Sequence, residues 1–360
     1  MPKPCASTSR SDGDRVTAPT VLVVGAGLLG ASAGMALRNA GWQVHLRDRM
    51  PASVRLAEEL GAGTGEPPAA EPDVVLLAVP PSVVVSAATS LREEFANATF
   101  TDVASAKSFL ERQMEEIALA DRFVGGHPMA GRERSGVKGA RADLFAGRPW
   151  VICSTTHVDE DRVSKVRALA TATGAHVVEM SAAEHDEAVA KVSHVPQLVA
   201  SVLAAQLRDL DQAELELAGQ GLRDTVRIAA SDPELWTDII AANEDAVRDS
   251  LQQVVTDLQT LLSDMDPTPV LAHGRAGHAR IPGKHGSPAV AYAVVPVVIP
   301  DEPGALARLF ASAGEAGINI EDVAIEHSPG QPVGLVELFV VPEKAEEMAR
   351  ALTIMGWSVH

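Results

Sequence analysis

The stretch Thr20–Gly30, TVLVVGAGLLG, constrains this chain more than any other. Val21 to Val24 are four consecutive apolar residues, the length of a short buried strand. Gly25, Gly27 and Gly30 follow in GxGxxG spacing, and residues 31–39 read as a helix of small and apolar side chains. Strand, glycine turn and helix in that order form a dinucleotide-binding fingerprint. Gly25 permits the tight turn, Gly27 lets the backbone approach a pyrophosphate, and Gly30 brings helix against strand. The helix start at Leu28 and Leu29 turns unpaired N–H groups and a positive dipole end toward the phosphates. A second strand, QVHLRD, ends in Asp48, 18 positions beyond Gly30. That is close to the spacing of about 20 at which a carboxylate meets the adenosine ribose. A carboxylate there repels a 2′-phosphate, so NAD is favoured over NADP, although Arg47 and Arg49 flank it.

Around that anchor, 360 residues allow two or three domains. Hydrophobic residues are 46% and aromatics only 3%, so the cores must be built from Ala, Val, Leu and Ile. No apolar run reaches the roughly 18 residues of a membrane span. The polar start, MPKPCASTSRSDGDR, lacks the apolar core of a signal peptide, and a cytoplasmic protein is expected. Cys5 and Cys153 make no disulfide framework and lack CxxC spacing, so no metal is expected. The net charge of −18 opposes binding to nucleic acid or anionic membranes. An anionic substrate would need a local cationic pocket.

In chain order, 1–17 read as a disordered tail and 18–183 as alternating strands and helices. That alternation predicts an α/β, Rossmann-type doubly wound and mostly parallel sheet, with ligands at the carboxyl ends of its strands. Three loops at such ends stand out. In AVPPS, Val79 and Pro80 lie beside the adenosine and ribose, or merely end a strand. In TDVASAKS, Ser105 offers a hydroxyl, or caps the next helix, with Asp102 and Lys107 beside it. In GGHPMAGRERSG, Gly125 and Gly126 predict a sharp turn and Pro128 fixes the chain just after His127. A histidine so placed is poorly explained by packing. Residues 184–264 turn helical, with His194 near a kink at Pro196. Ser231, Pro233 and Glu234 mark a helix start. Arg223 and Arg227, four apart, share one helical face. A block this apolar predicts helices packed across a homodimer axis, or helices that cap their own sheet. Residues 265–288 read as a linker, and 289–360 as a separate βαββαβ, ferredoxin-like domain.

GAGLLG, DVASAK, GHPMAGRERSG, SHVPQ and LRDTVRIAASDPELW, in this order, resemble the prephenate/arogenate dehydrogenases of tyrosine biosynthesis over roughly residues 21–262. IPDEPGALARLF and GINIED resemble an ACT domain. The resemblance implies NAD-dependent oxidative decarboxylation of prephenate, feedback-regulated by L-tyrosine. Arogenate is the alternative substrate, and a catalytically inactive amino-acid sensor is the alternative class. It also implies roles. His127 takes the substrate's hydroxyl proton, while Ser105 bonds the same hydroxyl and holds His127. Arg227 grips a carboxylate, with Asp224 orienting it or pairing with Arg223. His194 and Arg223 line the pocket, Trp236 walls it and Glu133 gates it. In the ACT-like domain, Gly304 opens a helix toward an amino-acid carboxylate, and Asp301 and Asn319 meet the ammonium. Gln197 departs from the pattern, since many relatives carry histidine there; Arg223 stands where relatives often have lysine.

Overall fold

The computed structural model describes residues 18–131, 136–281, 292–327 and 333–360. The chain forms two compact units. One runs to Leu217 and resumes from Asp224 to Thr256; the other comprises Ala218–Arg223 and Asp257–His360.

The first unit is built on a seven-stranded sheet: β1 (Thr20–Val24), β2 (Gln43–Arg47), β3 (Val74–Leu77), β4 (Thr99–Asp102), β5 (Phe123–Pro128), β6 (Pro149–Cys153) and β7 (His176–Glu179). Their spatial order is β2-β1-β3-β4-β5-β6-β7. All neighbours are parallel except β5 and β6, which are antiparallel. The crossovers are α1 (Leu28–Asn39), α2 (Pro51–Glu59), α3 (Pro81–Leu91), α4 (Ser108–Glu116) and α5 (Glu160–Ala172). Successive side chains of a strand face opposite ways. Val21, Val23, Val74 and Leu76 therefore join one buried cluster, and Leu22, Val24, Val75 and Leu77 join another. Both faces are covered, which is why these strands are uninterrupted apolar runs. The order reverses between β1 and β3, and in open α/β sheets such a switch point is where ligands bind, outside the strands' carboxyl ends.

His127 does not sit in a turn. Gly125, Gly126, His127 and Pro128 lie inside β5, paired to Cys153, Ile152, Val151 and Trp150 of β6. The ladder to β4 stops at Val124. The glycines serve close approach instead of a bend. A Cβ on Gly126 would stand 2.5 Å from the Asp102 carbonyl oxygen, and one on Gly125 would stand 3.1 Å from Lys107 Cδ.

The helical block continues with α6 (Ala182–Val189), a π-helical stretch (Ala190–His194), α7 (Val195–Ala205), α8 (Gln212–Leu215), α9 (Gln220–Val226), α10 (Pro233–Ala242), α11 (Glu244–Asp264) and α12 (Thr268–His278). The wider π turn precedes Pro196, which supplies no N–H to the ladder, and such turns recur at functional sites. By length and composition the helical run 182–205 would suffice to cross a membrane. It nevertheless carries buried His185, Asp186 and His194. The linker expected over 265–288 contains α12 up to His278, and residues 282–288 lie outside the described set. The cap of α10 is Asp232, which accepts from the Glu234 amide at 2.9 Å. Ser231, the expected cap, donates instead to the Ile228 carbonyl at 2.7 Å.

In the second unit, β8 (Ala293–Pro300), α13 (Ala305–Glu315), β9 (Asp322–His327), β10 (Val333–Val340), α14 (Ala345–Ile354) and β11 (Ser358–Val359) give the expected βαββαβ order. The sheet is antiparallel, ordered β11-β8-β10-β9. Val297, Leu309, Val336, Leu338, Met348 and Leu352 form its buried core.

Candidate active site

The glycine turn fits a dinucleotide. Gly25 has φ +102°, and a Cβ there would lie 2.3 Å from the Ala78 oxygen and 2.9 Å from Val79 Cγ1. A Cβ on Gly30 would fall 1.9 Å from the Gly25 carbonyl oxygen. Among the described residues nothing comes within 4 Å of a Cβ on Gly27, which leaves the space a pyrophosphate needs. Leu28 begins α1, whose first amides have no side-chain cap. Asp48 accepts from the Ala26 amide through one oxygen and from Met50 through the other, both at 2.8 Å, which places its carboxylate across the turn. Arg47 makes a two-pronged bond to Glu94, with both contacts 2.8 Å, and is thereby committed elsewhere than to a 2′-phosphate. Pro80 precedes α3, and Pro81 opens it.

Beyond β4, a cavity of about 750 Å³ is lined by Ser105, Arg148, His194, Gln197, Arg227 and Trp236, among others. Four of the expected residues meet here: Ser105, His194, Arg227 and Trp236. The rings of His194 and Trp236 are 6.2 Å apart and edge-on. Arg227 is exposed at the start of a 3₁₀ turn, Arg227–Ala230. Helix α9 ends one residue earlier, at Val226, so Arg223 and Arg227 do not share an α-helix. Gln197 is buried and donates to the Ile228 carbonyl at 2.9 Å, fixing that turn. Asp224 is exposed on α9. Arg223 belongs to the other unit, where it donates to the Ala218 carbonyl at 3.4 Å. Glu133 lies outside the described residues.

Ser105 does not cap α4, and it is not the partner of His127. The cap is Asp186 of α6: its carboxylate accepts from the amides of Lys107 and Ser108, each at 2.8 Å. Among the described residues, Ser105 Oγ is buried without a partner, and so is His194 Nε2. Buried polar atoms of this kind ordinarily find a partner; here both belong to cavity-lining residues.

His127 is not among the cavity's lining residues. Its Nδ1 lies 2.8 Å from His185 Nε2, and His185 Nδ1 lies 2.8 Å from Asp186 Oδ1. The Asp186 carbonyl in turn accepts from Asn243 Nδ2 at 2.9 Å, and that amide stands 3.2 Å from His194 Nδ1. One hydrogen-bonded chain therefore joins the strand histidine to the cavity. Burial, then the neighbouring His185, Lys107 and His194, hold His127 well below the usual imidazole range. Burial brings His194 down to about 4 against the opposing Asp186. For Asp186, burial acts upward, but hydrogen bonds from His185 and from Lys107 and Ser108 prevail and keep it below the carboxylate range. Both histidines are thus neutral at neutral pH.

Sequence reasoning missed His185, Asp186, Asn243 and Arg148. The motif EHDE offers a histidine beside an acid, but nothing in its spacing ties it to His127, 58 residues away.

In the second unit, Gly304 precedes α13 in the left-handed region, φ +87°. Asp301 is exposed in the turn before it. Asn319 donates to Glu321 at 2.6 Å.

Residues 33–179 match the family model described as the prephenate dehydrogenase nucleotide-binding domain, and 181–266 match the prephenate dehydrogenase dimerization domain. The chain is 33% identical to a protein of Streptomyces niveus named a probable prephenate dehydrogenase, over 95% of this chain and 99% of that one. It is similar to the structure of prephenate dehydrogenase from Aquifex aeolicus in complex with hydroxyphenyl propionate and NAD+. That match has 30% identity and a TM-score of 0.66, covering 74% of this chain and 98% of that one. It is also similar to Synechocystis arogenate dehydrogenase, at 27% identity and TM-score 0.61, covering 72% and 97%. A glycine cradle shaped for NAD, a cavity with two guanidinium groups on its wall and these matches together place the chain in the prephenate dehydrogenase family, as an NAD-dependent oxidoreductase.

Proposed function

We propose that the protein converts prephenate, NAD+ and no other oxidant into 4-hydroxyphenylpyruvate, carbon dioxide and NADH. The observation that carries this reading is the cavity wall, where Arg148 and Arg227 stand with Ser105 Oγ and His194 Nε2, which have no partner among the described residues. Prephenate is a dianion with a ring hydroxyl. Two guanidinium groups match two carboxylates, and the remaining donors match its oxygens. A chain of net charge −18 needs such local cations to hold an anion at all.

The dinucleotide would be held through its pyrophosphate and adenosine half by Gly25, Gly27, Gly30, Leu28, Leu29, Asp48, Val79 and Pro80, and its nicotinamide would supply a hydride acceptor. His127, half-buried on β5 and set back from the cavity's lining residues, would draw the proton from the ring hydroxyl as the carbon bearing it is oxidised. The ring carboxylate leaves as carbon dioxide, its bonding electrons enter the ring, and aromatisation drives the step. The resulting phenolate takes the proton back from His127, so no net proton is released. Trp236 walls the cavity and excludes water from it. Asp224 and Glu133 remain part of the proposed binding set.

Incubation with NAD and prephenate, and separately with arogenate, followed by NADH absorbance, tests the reading; the expected result is turnover of prephenate. NADH formed from arogenate alone would transfer the assignment to that substrate. Arg227→Ala is expected to raise KM roughly 30-fold or more, with kcat moving less, because a charged partner of the substrate is lost. An unchanged KM would place the carboxylate elsewhere.

We further propose that the βαββαβ domain is an ACT-like regulatory module taking L-tyrosine at Gly304, Asp301 and Asn319. The helical block would form a homodimer, and the enzyme would act in the cytoplasm. Isothermal titration tests the first point: no heat at millimolar tyrosine, with no inhibition, would leave the domain as a docking module only.

A further inference from the structure

We propose that His185 and Asp186 are positioning residues that fix the tautomer of His127 and present its Nε2 as the proton acceptor. The inference deepens the dehydrogenase reading and rests on it only for its catalytic consequence. The tautomer itself follows from the geometry.

Asp186 is the fixed end of the chain. Its Oδ1 accepts from the Lys107 amide and faces His185 Nδ1, and its Oδ2 accepts from the Ser108 amide, all at 2.8 Å. These contacts sit at the N-terminus of α4, where negative charge is favoured. An ionised carboxylate only accepts, so His185 Nδ1 carries the hydrogen. In the neutral ring, His185 Nε2 is then a lone pair. It lies 2.8 Å from His127 Nδ1, which must therefore donate. The remaining nitrogen of His127, Nε2, is left as a lone pair. The opposite arrangement would need His185 as a cation, in a site where it is fully buried.

The same residue sets the second histidine in the opposite sense. The Asp186 carbonyl can only accept, so the Asn243 amide must turn its nitrogen that way. The second N–H of that nitrogen faces His194 Nδ1 at 3.2 Å. His194 Nδ1 is then an acceptor and its Nε2 carries the hydrogen. One ring takes a proton while the other offers one, and Asp186 governs both. Once His127 is protonated at Nε2, its Nδ1–H stays on His185, whose own Nδ1–H points to the carboxylate. The positive charge is opposed along the chain without a proton leaving it.

Histidine-labelled full-length protein, read by two-bond ¹H–¹⁵N correlation at neutral pH, tests this directly. Assignment uses His127→Gln, His185→Gln and His194→Gln. The expected result is the Nδ1–H tautomer for His127 and His185 and the Nε2–H tautomer for His194. A Nε2–H tautomer at His127 overturns the proposal. These spectra need no substrate, so they stand or fall separately from the assay of prephenate oxidation. In kinetics, His185→Phe removes the acceptor and is expected to lower kcat roughly 10-fold or more with substrate KM retained. His185→Gln, whose amide oxygen can accept the Nδ1–H, is expected to recover part of it. A folded His185→Phe protein with parental kcat and an unchanged His127 tautomer also overturns it.

Discussion

His127→Asn is expected to lower kcat by roughly 10²–10⁴, the worth of a positioned base, while NAD affinity stays at its parental value. The asparagine amide can still donate to His185 Nε2, as the ring Nδ1 does, so the network behind it is kept. What disappears is the second ring nitrogen. Steady-state kinetics and NAD titration of the variant check the point; a parental kcat would remove His127 from the chemistry. The pH profile carries the same claim with a sign. Burial first, then the neighbouring His185, Lys107 and His194, depress His127 well below 6.5. Activity of the free enzyme is therefore full above pH 6.5 and is lost as pH falls through the lowered value. An acid limb of kcat/KM at or above 6.5 would contradict the structure.

The cofactor half of the site was legible because it is local. The glycine turn, α1 and Asp48 fall within 29 residues; Gly25 and Gly30 each answer to a backbone clash, and Gly27 to the open space above it. The substrate half was legible only as a set of names. Ser105, His194, Arg227 and Trp236 do converge, but the sequence suggested a helical pair of arginines where the chain changes to a 3₁₀ turn. The glycines before His127 were legible as special and misread in kind. Both bends and close approaches call for glycine, and only the β4 neighbour at 2.5 Å distinguishes them. Asp186 was invisible for a different reason. A helix cap is usually sought within a few residues of the helix start, whereas the cap of α4 comes from 78 residues downstream. The helix α12 escaped because glycine, proline and histidine in that stretch signal a break by composition, while its exposed turns need no apolar face.

Lys107→Met is expected to destabilise the first unit by about 3–5 kcal/mol, the cost of stranding a buried charge. Lys107 and Asp102 form an ion pair whose side chains are 1% and 0% exposed. Asp102 also accepts from the Ala104 amide at 2.8 Å and the Gly126 amide at 3.0 Å, and Lys107 donates to the Gly126 carbonyl at 2.7 Å. Both backbone groups of Gly126 are thus tied to the pair, one residue before His127. Methionine fills the volume of the lysine stem but leaves the carboxylate with two amides and no cation. Adding Asp102→Asn removes the orphaned charge, so the double variant should melt above Lys107→Met alone. The cycle of single and double variants isolates the coupling. Its kinetic counterpart follows from the same bonds: a double variant that regains melting temperature should still turn over slowly, because the Gly126 carbonyl has lost its donor and the strand carrying His127 its anchor. Full recovery of kcat along with stability would show that the pair holds the fold and not the histidine. A single variant that melts like the parent would mean that water reaches Asp102, against its complete burial.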